Sequence, residues 1–388
     1  MSIAFTSIKG TTFYNSRKAY AGFNLLTPIE GEGVWLIDMM GEFVHYWGMG
    51  YRPGCYGELL PNGHLLYQGK IDSSPLAHLE GAGGILLEAD WQGNVLWEYR
   101  DPYLHHAFYR MENGNTLVLK WIVVPDGIVC NLKGGFSNCD DSDEVWGDCI
   151  QEIDPDGKVV WEWIGHDHLD PEVDEICPLC PRTTWTHANA CVECPNGDIL
   201  VSFMKTNTLA IIDKKNGHVK RRLGSGEFTH QHSPNILDNG NVLVFDNGFH
   251  ELYAPNVMSR VLELNPNDGT IVWCFGEGNE RHLFYSSTMS SCQRLPNGNT
   301  FICEGTWGRI FEVDQEGELV WEFVNSFPSF DTSPTESKSS PVYSAYRYGL
   351  DYSGLSRSIR KVGQRQISPA AAKRDDETAQ SRSEIAGY

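Results

Sequence analysis

Short apolar runs alternate with polar positions along the whole chain, and the same turn chemistry ends them repeatedly. One pattern is a strand, a turn with an Asp or Asn and a later Gly, and a strand that carries Trp in every copy but 208–223. "GVWLIDMMGEFVHYW" (33–47) and "DCIQEIDPDGKVVWEW" (148–163) are examples, and the pattern recurs at 84–99, 208–223, 260–275 and 309–323. Alternation at every second residue puts one face of a strand into a core, and turn residues between two such runs mark a hairpin. A second pattern falls between copies of the first. It reads "YGELLPNGHLLYQG" at 56–69 and returns at 108–121, 190–203, 233–246 and 292–305, each time as two strands around an N-G turn.

Alternating the two hairpins gives four strands per unit, the cadence of a β-propeller blade. The expected fold is all-β: a six-bladed propeller with four antiparallel strands per blade, spanning residues 1–351. Five units are complete. The sixth has its outer hairpin at 33–47, preceded by "GFNLLTP" (22–28). Its innermost strand comes either from the N-terminal region or from "SPVYSAYRYGL" (340–350). In the second case the chain termini share a blade and close the ring, which removes open sheet edges. Two long insertions, 122–147 and 164–186, interrupt the regular cadence and are expected to be functional loops. Residues 352–388 are polar and low in aromatics, so a flexible tail is expected.

The N-G turns also set a register. Seven residues before their Asn stand Cys55, His106, Asn189, His232 and Ser290. Nine before stand Pro53, Leu104, His187, His230 and Thr288. Positions two apart share a face of a strand. The innermost strand of each blade lines the central channel, so His106, His187, His230, His232, Asn189 and Ser290 are expected around one mouth of it. Converging polar groups in a concave place define a candidate active site; the competing reading is a water-bridged polar channel.

Composition narrows the partners. With 51 acidic and 30 basic side chains the formal net charge is -21, which argues against nucleic acid or an anionic membrane. No apolar run is long enough to span a bilayer. The first twenty residues lack a basic stretch followed by an apolar one, so a cytoplasmic protein with reduced thiols is expected. Two weaker motifs compete for metals. Cys177/Cys180 and Cys191/Cys194 have zinc-like spacing, although the second pair falls in a blade strand and its turn. The acidic residues Asp140, Asp141, Asp143, Glu144 and Asp148 lack a calcium-loop template.

The stretches "WTHANACVECPNGDILVSF", "HQHSPNILDNGNVLVFDNG" and "QRLPNGNTFICEGTWGRIFEVDQEGELVWEF" resemble the bacterial arylsulfotransferase family, and the resemblance covers roughly residues 20–350. It implies a six-bladed propeller that moves sulfuryl groups between phenolic compounds through an axial histidine, without a cofactor. It implies axial catalytic roles for His187, His230 and His232, which His106 joins by register. It also implies a nucleophilic His in a later blade, where this chain has Ser290. An Arg is implied just after "FDNG", where this chain has His250 and then Arg260. The substrate-binding set is therefore Asn189, Ser290, His250 and Arg260, and the partner a small aromatic or phenolic molecule. Two other functions stay open. One is acid–base or metal chemistry at the axial histidine cluster, as in a lyase, cyclase or hydrolase. The other is a propeller that binds a ligand without catalysis.

Overall fold

The turns that punctuate the sequence are self-capped, which is why they recur. In the N-G turns the Asn side-chain carbonyl accepts the backbone N–H two residues on. Asn62 takes that of His64 and Asn239 that of Asn241, each at 2.9 Å. The following glycines, Gly63 and Gly240, have φ of 88° and 83°, a region costly for any side chain. In the outer turns an Asp carboxylate gathers two backbone N–H groups, as Asp90 does from Gln92 and Asn94 at 2.9 Å.

The computed structural model describes residues 9–29, 31, 33–137, 144–224, 226–251, 258–277, 284–327, 341–355 and 359. Its strands form a ring of six antiparallel blades, a six-bladed β-propeller. Five blades follow chain order from inside to outside, with inner strands Pro53–Leu59, Leu104–Arg110, Ala188–Glu193, His232–Ile236 and Ser291–Arg294. The remaining blade joins both ends of the chain. Val342–Gly349 is its inner strand and pairs with Gly22–Pro28, with Gly22 opposite Gly349. Of the two sources open for that strand, the C-terminal segment supplies it. A further strand, Gly10–Tyr14, adds to the outer edge of the last blade by pairing with Leu319–Val324.

One apolar cluster fills each gap between neighbouring blades. Between the first and second, for example, Phe23, Leu25 and Val34 meet Leu59, Leu65 and Tyr67. The Trp of each outer hairpin adds a directed bond to this packing. Trp47 Nε1 donates to the Asp90 carbonyl of the next blade's turn at 3.1 Å, Trp97 to Pro155 at 2.8 Å and Trp161 to Lys214 at 2.9 Å. Trp273 donates to Gln315 at 3.3 Å, and Trp321 returns from the last blade to Met39 of the first at 2.7 Å. The fourth blade has no Trp there and uses Arg221, which reaches the Asn267 carbonyl. The fully buried Arg347 of the C-terminal strand ties the shared blade to its neighbour. It pairs with Glu312, donates to Asn24 at 2.7 Å and lies over the Trp321 ring at 4.4 Å.

The two insertions pair with each other. Gly134–Phe136 from the first runs parallel to Ile176–Pro181 from the second. Asp174 pins the second to the fourth blade through a two-pronged ion pair with Arg222, 2.7 Å on each arm. At the C-terminal end, Tyr352 donates to the Leu59 carbonyl at 2.7 Å and Leu355 is buried. The rest of the expected tail, apart from residue 359, lies outside the described residues, as do Asp140, Asp141 and Asp143.

The indole bonds make a graded prediction. Trp321→Phe leaves the buried Met39 carbonyl with only the long 3.4 Å bond from the Thr11 hydroxyl and should cost about 1–3 kcal/mol. Trp97→Phe, at a partly exposed site, should cost under about 1 kcal/mol. Denaturant unfolding of both variants checks the order; equal losses would contradict it.

Candidate functional site

Strand alternation breaks where the inner strands begin, and that break builds the site. His106, His187 and His230 have φ of 47°, 51° and 56°, and Met289 and Ser290 occupy the same left-handed region at 60° and 87°. Such residues are uncommon outside glycine and persist where surrounding contacts hold them. Each histidine turn is held: His106 N–H donates to the Gly81 carbonyl at 2.8 Å, and His230 N–H to Asn207 Oδ1 at 3.0 Å. A left-handed residue turns its neighbours out of the two-residue rhythm. His230 and His232 were expected on one face; the structure sends them to different places.

His106, His187 and His232 come together. With residues of all six blades they line a cavity of about 280 Å³ at one mouth of the channel. Lys70, Arg52 and Glu80 line it, Arg52 being exposed and ion-paired with Asp72 at 2.5 Å, while Leu79, Ala82 and Met204 give apolar wall. The His106 and His187 rings meet edge to face, 4.7 Å between centroids. Asn189 and Ser290 line a second cavity of about 250 Å³ further along the axis, with Tyr343 shared between the two. Asn189 is held there by a 2.7 Å bond to the Gln231 carbonyl. Arg260 is in neither cavity and is clamped to Asp246 at 2.7 Å. His230 and His250 join Cys177 and Cys180 instead.

Each axial imidazole has a partner on Nδ1. His232 Nδ1 lies 2.8 Å from Asn247 Oδ1 and 3.0 Å from the His230 carbonyl. The Asn247 amide nitrogen in turn donates to the Ser286 and Met289 carbonyls at 2.8 and 3.1 Å. That orientation leaves only acceptors facing His232 Nδ1, so Nδ1 carries the proton and Nε2 keeps its lone pair. His187 Nδ1 meets the Thr184 hydroxyl at 3.0 Å. His106 Nδ1 meets His105 Nδ1 at 2.9 Å. His105 Nε2 faces Asp148 Oδ1 at 3.2 Å, an ion-pair distance off the line of the N–H bond. The other Asp148 oxygen takes the Thr186 hydroxyl and the Ala188 N–H. Asp148 thus anchors two strand entrances rather than a calcium site.

Burial holds all three imidazoles neutral. It pushes His106 and His187 well below the ordinary value, with neighbouring His105 and His106 respectively adding to the effect. It pushes His232 to about 4, partly offset by the bond to Asn247. Neutral imidazoles can act as nucleophile or base. Among the described residues, the group of His, Cys, Asp or Glu spaced to share a metal ion is Cys177, Cys180, His230 and His250; the axial imidazoles do not form one. Cys191 is packed in the apolar cluster between the third and fourth blades and Cys194 precedes a turn, so neither completes a zinc set with Cys177 and Cys180.

Sequence register found the three axial histidines but missed their supports. His105 stands between the two register positions before Asn113, on the other face of the strand alternation, Asp148 belongs to an outer hairpin, and Asn247 was visible only as part of "FDNG". Arg52 precedes the inner strand Pro53–Leu59 and Lys70 ends the next strand, Leu65–Lys70, and neither belongs to a motif. Gly81 had no signal at all, yet a Cβ there would fall 2.0 Å from the His106 ring.

Two predictions follow from this geometry. Gly81→Ala should displace the His106 ring, shifting its NMR signals while leaving those of His232 in place; unchanged His106 signals would refute the contact. The second concerns pH. The folded His232 sits below its ordinary 6.5, so its contribution to stability is complete above pH 6.5 and is lost as pH falls toward 4. Glu58 and Glu304, both pushed up to about 7 by burial, act in the opposite sense. The difference in stability between wild type and His232→Gln isolates the histidine. It should shrink by on the order of 3 kcal/mol between pH 6.5 and 4; a constant difference would show an unshifted imidazole.

The matching solved structures include a protein of unknown function from Bacteroides caccae, 16% identical, with a TM-score of 0.53 over 84% of this chain and 98% of that one. They also include a catalytically inactive virginiamycin B lyase from Staphylococcus aureus with quinupristin, 12% identical, with a TM-score of 0.41 over 70% of each chain. None of the curated proteins matches the sequence. Residues 58–326, more than half of the chain, match a single family, and this propeller therefore belongs to the arylsulfotransferase (ASST) family.

Proposed function

We propose that the protein transfers sulfuryl groups from an aryl sulfate to a phenolic acceptor at the axial mouth, using His106, His187 and His232. The observation that carries this reading is the convergence of three neutral imidazoles beside Arg52 and Lys70, in a chain of the arylsulfotransferase family. The cations suit a sulfuryl group and the apolar wall an aryl ring. The positive charge is local, on a chain whose net charge is -21.

His232 is the nucleophile in this scheme, because its proton is fixed on Nδ1 and its Nε2 lone pair is available. Nε2 attacks sulfur, an N–S bond forms, and the S–O bond to the aryl group breaks with its electron pair on the departing phenolate. The acceptor then forms the new O–S bond, the N–S bond breaks, and the phenolic proton passes to a neighbouring imidazole. His106 fits that role: a proton gained there is supported by His105 and, behind it, the Asp148 carboxylate. His187 and Lys70 would stabilise charge on the sulfuryl oxygens, joined by Arg52 once it leaves Asp72. Ser290 does not take the nucleophile's place, since its hydroxyl is engaged with the Thr288 carbonyl and the Gly305 N–H.

Incubation with an aryl sulfate and a phenol tests this directly. Wild-type protein should transfer the group, and His232→Ala should lose at least roughly 10³-fold in kcat/KM. His106→Ala should lose roughly 10²–10⁴-fold, mainly in kcat. Mass spectrometry after quenching should find one sulfuryl group on His232. Full transfer activity in His232→Ala would overturn the assignment of the nucleophile, and no transfer by wild type across aryl donors would overturn the reaction.

A further inference from the structure

The group formed by Cys177, Cys180, His230 and His250 lies outside the axial cavity and has no part in the reaction above. Its four ligand atoms all fall within 4.8 Å of one another. Cys180 Sγ is 3.5 Å from His230 Nε2 and 3.6 Å from His250 Nδ1, and Cys177 Sγ is 3.5 Å from His250 Nδ1. A tetrahedral zinc with ordinary Zn–S and Zn–N bonds sets neighbouring sulfur and nitrogen ligands about 3.5 Å apart. The side chains therefore stand at the spacing of a filled site. We infer that they bind one structural zinc ion as a Cys₂His₂ set.

The choice of ion follows from the donors. Two thiolates and two imidazoles in a tetrahedral arrangement select zinc among common divalent ions, and four protein ligands leave no position for substrate. Burial agrees, since Cys177, Cys180 and His230 are closed to solvent and His250 is half-buried. Two thiolates cancel the charge of the ion, so the filled site is neutral, as burial requires. The ligands are also held from outside. Cys177 N–H donates to the Lys205 carbonyl at 2.7 Å, His230 N–H is fixed by Asn207, and Phe249 stacks on the His250 ring at 3.9 Å between centroids.

The zinc gives the second insertion a purpose. Cys177 and Cys180 lie on the insertion strand Ile176–Pro181, His230 at the entrance of the fifth blade's inner strand, and His250 beyond that blade's second strand, Val242–Asp246. One ion thus staples the insertion across the fourth blade to the fifth. It also holds His230 in its left-handed conformation, two residues before His232, whose Nδ1 contacts the His230 carbonyl at 3.0 Å. The zinc is a clamp on the backbone that presents the axial imidazole.

The test is the metal content of the full-length protein, purified without chelator from zinc-supplemented cells. Elemental analysis should find about one zinc per chain. Cobalt exchanged for it should show tetrahedral d–d bands and a thiolate-to-cobalt charge-transfer band, signatures that need no variant. Cys177→Ser/Cys180→Ser should abolish both, whereas His187→Ala, in the axial cavity, should keep the zinc. Removing the metal with a chelator should lower Tm by on the order of 5 °C or more. A metal-free wild type that gives no thiolate–cobalt band, or one in which Cys177 and Cys180 are joined as a disulfide, would overturn the inference. Sulfuryl transfer is read by its own assay, so a metal-free protein that still transfers the group overturns the zinc and leaves the reaction standing.

Discussion

The ring depends on one repeated contact, the burial of each blade's faces against its neighbours. Six apolar clusters fill the six gaps, and an indole or guanidinium donor in each outer hairpin bonds a carbonyl in the next blade's turn. The apolar part is non-directional and supplies most of the stabilisation. The directed bonds choose how far each blade turns relative to the next, because a buried carbonyl left without a donor is costly. Trp321 reaching Met39 carries the same contact from the last blade to the first. A ring closed in this way brings six inner strands to a common axis, and the geometry of the axial cavity rests on that convergence.

Within the ring, function is placed by local exceptions. Residues in left-handed backbone at the inner strand entrances are the points where chain geometry leaves the regular sheet. His106 and His187 turn there into the mouth. At residue 230 the same device sends one imidazole outward to two cysteines and leaves the next, His232, inward beside Asn247. Two sites of different chemistry thus share three residues of backbone. One gathers buried imidazoles around the axial cavity; the other sets two thiols and two imidazoles within 4.8 Å of one another.

The architecture was legible in the sequence because it is written many times over. Asp and Asn turns, glycines after them and Trp at fixed distances each repeat around the ring, so one ambiguous hairpin is settled by the others. The inner strand of the shared blade stayed open between two sources, since "SPVYSAYRYGL" carries no N-G turn; pairing with Gly22–Pro28 decides it. The site was legible only in part. Counting back from Asn113, Asn196 and Asn239 assumes extended backbone, and that assumption fails at the left-handed residues. It found His106, His187 and His232, placed His230 with the wrong neighbours, and put Asn189 and Ser290 one cavity too high. The Cys177/Cys180 and Cys191/Cys194 spacing carries only a weak zinc signal, because the second pair falls in a blade strand and its turn. The residues that meet Cys177 and Cys180, His230 and His250, are more than forty residues away along the chain and come to them only through the ring. Such long-range juxtaposition leaves no local signal.

The central claim is that the axial imidazoles receive a sulfuryl group. A crystal structure of the protein soaked with an aryl sulfate tests it most directly. The account predicts the sulfuryl group between His106, His187 and His232, either intact near Arg52 and Lys70 or bonded through sulfur to His232 Nε2. Density for the ligand only outside this mouth, or a metal ion bridging the three imidazoles, would contradict it.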